Sequence, residues 1–487
     1  MNNLKFIKKN FLKLIGLFFL ACLPLILSSS ILFLKDPVVW PDEAFILDTV
    51  ETFNQTGRLA TDIFGAASMG LEKQALWYPP LYFYVLASWI KVFGTTIEST
   101  RFLSLLLAFF ALALIFFLIK KMFQKNFLAV LGTALVAFDI SFSSSARIAR
   151  MEMLCFFFLM VSLVIFYLAE QRKKRQYFAY FFVGVFSGLG ILTHPLGLIL
   201  PAVIFAYLLL VGGTLKERVL KGFLIALPMV LFVGGWLFSI RDWWDLFLLQ
   251  NRLQLERKAL FPPFTWVLFS TFPSWRLLLG LNGVILYGLT RQALKHKNKI
   301  DILLFLGLII STAVLIWGKE RWYTLYFQPF ISLAILAILK RAKDDKERLI
   351  FKSAVVILIL LFLVNGWLFL TTWQEVGSSV YNYHDFTKRI ASVLPKQGKV
   401  FLAAVPDPYY DLKRESQLEF FEFPPIPVSD ENYRKVLNVT DYIVINWNPD
   451  QRVVDYIDRN SETKISIGEP GEYVTLVIKL VPQDKRQ

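Results

Sequence analysis

Cysteine and histidine are almost absent from this chain. Two cysteines and three histidines in 487 residues leave neither a disulfide framework nor a thiolate or His-rich metal centre to argue for. Charge is sparse as well, since only 18% of the residues are Asp, Glu, Lys or Arg, with 37 acidic residues against 52 basic ones. The formal charge of +15 would suit a nucleic-acid groove if the basic residues formed one patch. They stand instead in short runs between apolar stretches, as topology signals do, so nucleic acid is not an expected partner. No Walker loop or dinucleotide fingerprint is present, which removes a cytosolic nucleotide as cosubstrate.

Apolar surface, by contrast, is in excess. With 56% hydrophobic residues, 47 Phe, 13 Trp and a mean hydropathy of +0.53, the chain holds more of it than a soluble core would hide. This is the composition of a polytopic α-helical membrane protein whose first partner is the lipid bilayer. Lys5, Lys8 and Lys9 precede an apolar run from Phe11 to Leu34 that is long enough to cross roughly 30 Å of hydrocarbon. It reads as an uncleaved first helix.

Further spans are expected near 99–119, 127–140, 152–169, 177–193, 196–212, 222–240, 275–290, 301–317, 323–339 and 350–372, about eleven crossings in all. With the N-terminus cytoplasmic, the clusters Lys120-Lys121, Arg172 to Arg175, Lys216 to Arg218, Lys295 to Lys299 and Lys340 to Arg348 all fall inside. That register also decides the apolar stretch from Pro80 to Phe93. As a helix it would rise only ~21 Å, and counting it as a crossing would move every later cluster outside. It is expected to lie in the outer interface, within a first outer loop over 35–100. A helix from Asp42 to about Gly57 is expected beside it, with Phe45, Ile46, Val50 and Phe53 resting in lipid.

After Thr372 the composition becomes that of a soluble domain, which the register places outside the cell membrane over 373–487. Strands are expected over Lys399 to Val405, Asp441 to Trp447 and Tyr473 to Val481, with helices over Tyr383 to Val393 and Gln451 to Arg459. This makes a small α/β domain. The transmembrane and catalytic part is then 1–372, in the plasma (inner) membrane.

The residues able to do chemistry cluster at the outer ends of the spans. Asp42 and Glu43, in Trp40-Pro41-Asp42-Glu43, place two carboxylates just beyond the first span, where charge is expensive and calls for a function. Helix capping is the other use of Asp42 at that position. Arg150 and Glu152 border the membrane in Ala146-Arg147-Ile148-Ala149-Arg150-Met151-Glu152, as a site facing Asp42 or as an interfacial ion pair. His194, before Pro195, is either a turn residue or part of that site. Lys319, Arg321 and Tyr323 occupy an outer turn and break the positive-inside pattern, which an anionic ligand such as a lipid phosphate would explain; headgroup anchoring is the plainer account.

The order Trp40-Pro41-Asp42-Glu43, Trp77-Tyr78-Pro79-Pro80-Leu81-Tyr82, Arg147 to Glu152 and His194-Pro195-Leu196-Gly197 resembles that of the GT-C membrane glycosyltransferases. The bacterial relatives of protein O-mannosyltransferases and the lipid A aminoarabinose transferases look nearest. The resemblance implies transfer of a monosaccharide from a polyprenyl-phosphate donor to a hydroxyl acceptor at the outer face, with inversion. It implies Asp42 as general base and Glu43 as the residue orienting acceptor or sugar. Arg321, Lys319 and Arg150 become the partners of the leaving phosphate. Tyr78 stands where the aminoarabinose transferases have a lysine and the eukaryotic mannosyltransferases a histidine. The second outer loop lacks the Asp-X-Asp that metal-dependent oligosaccharyltransferases use, so no cofactor and no metal are expected. Two other classes compete: a lipid-linked sugar flippase, against which the absence of an internal repeat argues, and an envelope glycan ligase or polymerase.

Overall fold

In the computed structural model, the residues described are 2–64, 69–171, 176–211, 213–260, 283, 285–291, 298–318, 320–341, 348–377, 381–423, 428–446, 450–468 and 473–486. The described residues form helices and their connections up to 377 and a mixed α/β part beyond it. The first helix, α1 (Asn2–Leu32), carries Pro24 in its interior, as membrane helices tolerate. Then come α2 (Pro41–Thr56), α3 (Leu81–Phe93), α4 (Ile97–Phe123), α5 (Asn126–Ala137), α6 (Ile140–Ala146), α7 (Glu152–Gln171) and α8 (Gln176–Thr193). The series continues with α9 (Ile199–Val211), α10 (Leu215–Ser239), α11 (Trp244–Leu260), α12 (Lys299–Gly318), α13 (Gln328–Arg341) and α14 (Arg348–Thr372).

Among the described residues, six of these helices are long and apolar enough to cross a membrane: those within α1, α4, α7, α10, α12 and α14. The crossing expected over 275–290 lies largely outside the described residues. The one expected over 127–140 is broken, because Asp139 takes an extended conformation after α5 and caps α6, accepting from the Phe142 amide at 2.9 Å. Where helices approach most closely, glycine makes room. A Cβ on Gly184 of α8 would fall 2.1 Å from the Ile225 carbonyl oxygen of α10.

The helix expected after Trp40 is present, but its surroundings differ from the expectation. Pro41 occupies its first position, and Gly57 ends it in the left-handed region at φ 77°, its amide bonded to the Phe53 carbonyl at 2.8 Å. Phe45, Ile46 and Val50 do not rest in lipid. They are buried in protein, with Phe45 stacked on Phe64 at 5.2 Å and flanked by Trp77 and Phe83. The polar face is not uniformly solvated either, since Asp48 is buried and accepts from the Thr61 hydroxyl at 2.6 Å and the Asp62 amide at 2.9 Å. The segment between α1 and α4 is thus folded into the protein, with Gln250 of α11 accepting from the Leu76 amide at 2.7 Å and donating to the Gln74 carbonyl at 2.9 Å.

Beyond residue 377 come α15 (Tyr383–Val393), β1 (Gln397–Ala403), α16 (Tyr409–Glu415), β2 (Gln417–Phe421), α17 (Asp430–Val439), β3 (Tyr442–Ile445), α18 (Gln451–Asn460), β4 (Ser461–Ile467) and β5 (Thr475–Leu480). The five strands form one sheet in the order β2-β1-β3-β5-β4. β1 is parallel to β2 and β3, whereas β5 is antiparallel to β3 and β4. The two strands the sequence did not reveal, β2 and β4, are its edges. Polar β4 buries only its last residue, so it carries no apolar alternation to read.

The sheet domain docks on the segment between α1 and α4 through polar contacts. The Asp407 amide donates to the Val39 carbonyl at 2.9 Å, the Glu422 amide to that of Ile63 at 2.8 Å, and the Tyr409 hydroxyl to Asp48 at 2.7 Å. His384 adds a bridge, with Nδ1 2.7 Å from Asp411 of α16 and Nε2 against Glu98 of α4.

Candidate active site

The site is set by a buried ion pair that contributes no reacting group of its own. Glu43 and Arg101 are both fully buried, and Arg101 holds the carboxylate with two bonds, Nε to Oε1 at 2.9 Å and Nη2 to Oε2 at 2.7 Å. The remaining guanidinium protons go to the carbonyls of Phe33 and Pro37 at 2.8 Å and of Val38 at 3.1 Å. Glu43 in turn accepts from the Trp40 amide at 3.1 Å and the Ala149 amide at 2.8 Å. One carboxylate therefore ties the start of α2 to the segment between α6 and α7.

The consequence for the neighbours is direct. Asp42 precedes Glu43 and Arg150 follows Ala149, so clamping the second pair presents the first pair side by side. Arg150 Nη1 lies 3.0 Å from Asp42 Oδ2, and Nη2 lies 2.8 Å from Glu152 Oε1. The Asp42 side chain keeps 26% exposure, against 3% for Glu152. Glu43, rather than Asp42, makes the capping contact at the start of α2, and Asp42 bonds to no amide of its own helix.

A second group of residues gathers around Tyr323. The Lys258 ammonium lies over its ring at 4.9 Å and 3.5 Å from Glu320, while Arg257 pairs with Glu320 at 2.8 Å. Burial pushes the Lys258 ammonium below its usual pKa, with Glu320 acting against that. His194 lies between Tyr323 and Tyr78, its ring centroid 5.6 Å from the first and 6.2 Å from the second. Its Nδ1 accepts from the Leu196 amide at 3.1 Å, and burial together with Arg150 pushes its pKa down to about 3, so the imidazole is neutral. Arg150 joins the two groups, lying 5.5 Å from the Trp322 ring, whose indole N–H donates to Glu320.

Of the residues singled out from the sequence, Asp42, Arg150, Glu152, Tyr78, His194 and Tyr323 come together here. Glu43 sits behind them, and Lys319 and the side chain of Arg321 lie outside the described residues. Arg101, Lys258 and Glu320 were not singled out. Lys258 carried a readable signal: with Arg257 it forms a basic pair in an expected outer loop, the same breach of the charge rule that pointed to Lys319 and Arg321. Arg101 carried none, because its partner is 58 residues away.

Arg150 and Glu152 also line a cavity of about 370 Å³, together with Trp40, Asp139 and Trp322. Among the described residues, no group of three or more His, Cys, Asp or Glu side chains has the arrangement to hold a metal ion.

Residues 78–236 match the family model of the dolichyl-phosphate-mannose-protein mannosyltransferases. The family match covers about a third of the chain, and over the rest the likeness is one of fold alone. It superposes on ArnT of Cupriavidus metallidurans in the apo state with a TM-score of 0.59 at 12% identity, over 94% of this chain and 97% of that one. The same enzyme bound to undecaprenyl phosphate gives 0.57 at 12% identity over the same shares. The archaeal oligosaccharyltransferase AglB of Archaeoglobus fulgidus, in complex with an inhibitory peptide and a dolichol-phosphate, gives 0.58 at 12% identity, covering 89% of this chain and 69% of that one. An uncharacterized protein of Aquifex aeolicus (strain VF5) is 30% identical over 203 residues, 41% of this chain. That match spans 39% of the relative's length.

Proposed function

We propose that the protein is an inverting glycosyltransferase that moves a monosaccharide from a polyprenyl-phosphate donor to a hydroxyl acceptor at the outer face of the plasma membrane. The observation that carries this reading is the division of charge about Arg150. Asp42 and Glu152 outnumber the one guanidinium between them, whereas Arg257 and Lys258 outnumber Glu320 on the other side. Such a division fits a reaction that takes a proton at one end and releases a phosphate at the other.

In this reading Asp42, the exposed member of the first group, accepts the acceptor's hydroxyl proton. The hydroxyl oxygen forms the bond to the anomeric carbon as the carbon–oxygen bond to phosphate breaks. The electron pair leaves with the polyprenyl phosphate, opposite the entering oxygen, and the configuration inverts. Lys258 meets the departing phosphate, with Lys319 and Arg321 on the turn that carries Tyr323, and takes over the contact that Tyr78 lacks the charge to make. Glu152 holds Arg150, and Arg150 holds Asp42. Glu43 is a positioning residue, because its oxygens are committed to Arg101, Trp40 and Ala149.

Metal-independent transfer belongs to the same proposal, with Arg150 as the positive neighbour of Asp42. The topology that goes with it has about eleven crossings, a cytoplasmic N-terminus, and 373–487 as an extracytoplasmic domain. The test is to incubate purified protein with radiolabelled polyprenyl-phosphate sugars and follow label leaving the lipid. Asp42→Asn should slow transfer by about 10²-fold or more while donor binding persists. Unchanged transfer would remove Asp42 as base, and lipid translocation without transfer would favour a flippase.

A further inference from the structure

The cavity beside Arg150 has two unlike walls. One is the aliphatic side of α14, with Leu361, Val364 and Leu368, and the other is α6 with the serines at 141, 144 and 145. Spacings of three and four place those serines on one helix face, and none of their hydroxyls hydrogen-bonds to a described residue. The far end is polar and buried. Glu152 is 2% exposed and Arg150 7% exposed, and both line the cavity. Beyond their ion pair, neither the Glu152 oxygens nor Arg150 Nε hydrogen-bonds to another described residue. Buried polar atoms with unused bonding capacity are costly unless something meets them.

We infer that this cavity binds the acceptor, and that the acceptor is an amphiphile with a hydroxylated headgroup rather than a soluble protein. The inference rests on the transferase reading above. A headgroup lying along α6 gives its hydroxyls three serine partners and brings its far end to Arg150, the residue that holds Asp42. An alkyl chain has its place along α14, a helix with Ile359, Leu363 and Trp367 exposed on its remaining surface. A volume of about 370 Å³ lies within the roughly 300–1,000 Å³ of small-molecule sites and is too small for a folded acceptor.

The experiment uses the full chain in phospholipid nanodiscs and a photoreactive alkyl glucoside as the probe, with crosslinked peptides mapped by mass spectrometry. Label is expected on the peptides containing Ile140 to Arg150 and Leu361 to Val376. Excess alkyl glucoside should compete it away, and free glucose or an alkyl phosphocholine should compete far less. Replacing all three serines (Ser141→Ala, Ser144→Ala, Ser145→Ala), changes small enough to leave the fold intact, should weaken labelling about tenfold or more, as expected for losing several hydrogen bonds. Equal competition by alkyl phosphocholine would make the cavity a lipid crevice. Equal competition by free glucose would remove the amphiphile, competition by polyprenyl phosphate would assign the cavity to the donor, and label elsewhere would reject the site. Labelling needs no turnover, so Asp42→Asn protein should be labelled like the wild type. Failure of the transferase reading is thereby told apart from failure of this one.

Discussion

Arg150 reaches Asp42 at 3.0 Å with one nitrogen and Glu152 at 2.8 Å with the other. A planar fork can do this, and a single ammonium cannot hold two carboxylates in fixed directions. Arg150→Lys should therefore keep the charge and the fold but lower kcat about tenfold or more, the general cost of misplacing a catalytic group. Transfer kinetics with a radiolabelled donor check this, alongside a thermal unfolding curve that should move little. An unchanged kcat would mean that Arg150 does not orient Asp42.

Lys258 lies over Tyr323 and shares Glu320 with Arg257. If it meets the donor phosphate, Lys258→Met should raise the KM for the donor by about ten- to a hundredfold, the equivalent of one charge-assisted hydrogen bond of ~1.5–3 kcal/mol. Binding of polyprenyl phosphate, measured by titration in detergent, should weaken by the same factor. A fall in kcat with unaltered donor affinity would instead place the lysine away from the phosphate.

The pair Glu43–Arg101 allows positioning to be separated from stability. Arg101→Met leaves a carboxylate buried without its partner and should destabilise the protein by ~3–5 kcal/mol. Adding Glu43→Met removes the stranded charge and should recover much of that loss. Activity should not return with it, because no side chain then ties α2 to Ala149 and brings Asp42 beside Arg150. Unfolding midpoints and transfer rates of the two variants decide the matter, and recovery of both together would make the pair merely structural.

How far the site could be read from the sequence follows from how far each contact reaches. Asp42, Arg150 and His194 were readable because a charged or titratable side chain at the end of an apolar span needs a reason. The helix after Trp40 was readable from Pro41 and Gly57, two local signals. Its environment was not, because the partners of Phe45 come from Phe64, Trp77 and Phe83, far along a loop whose fold leaves no periodic trace. Arg101 was hidden for the same reason: in the sequence it is one basic residue near the start of a span, and only the fold shows that it closes on Glu43. In the sheet domain, β1, β3 and β5 announce themselves as apolar runs because they are central, and polar β4 does not because it is an edge.

His384 gives the docked sheet domain a dependence on pH. Both ring nitrogens face carboxylates, Glu98 on α4 and Asp411 on α16, and only the imidazolium can donate to both at once. Burial works against the charged ring, but the bonds to Asp411 and Glu98 outweigh it and raise its pKa above the usual 6.5. A folded-state value above the unfolded one means that this stabilisation is complete below about 6.5 and is lost as pH rises through the raised value. The unfolding midpoint of the wild type should accordingly fall on going from about pH 6 to pH 9. His384→Gln keeps a donor to one carboxylate and does not titrate, so its midpoint should start lower at acid pH and change less across the same range. Protection factors of the α15 and α16 amides, which remove the base-catalysed rise in intrinsic exchange, should fall with pH in the wild type and stay nearly level in the variant. Parallel pH profiles for the two proteins would show that His384 bears no part of the docking.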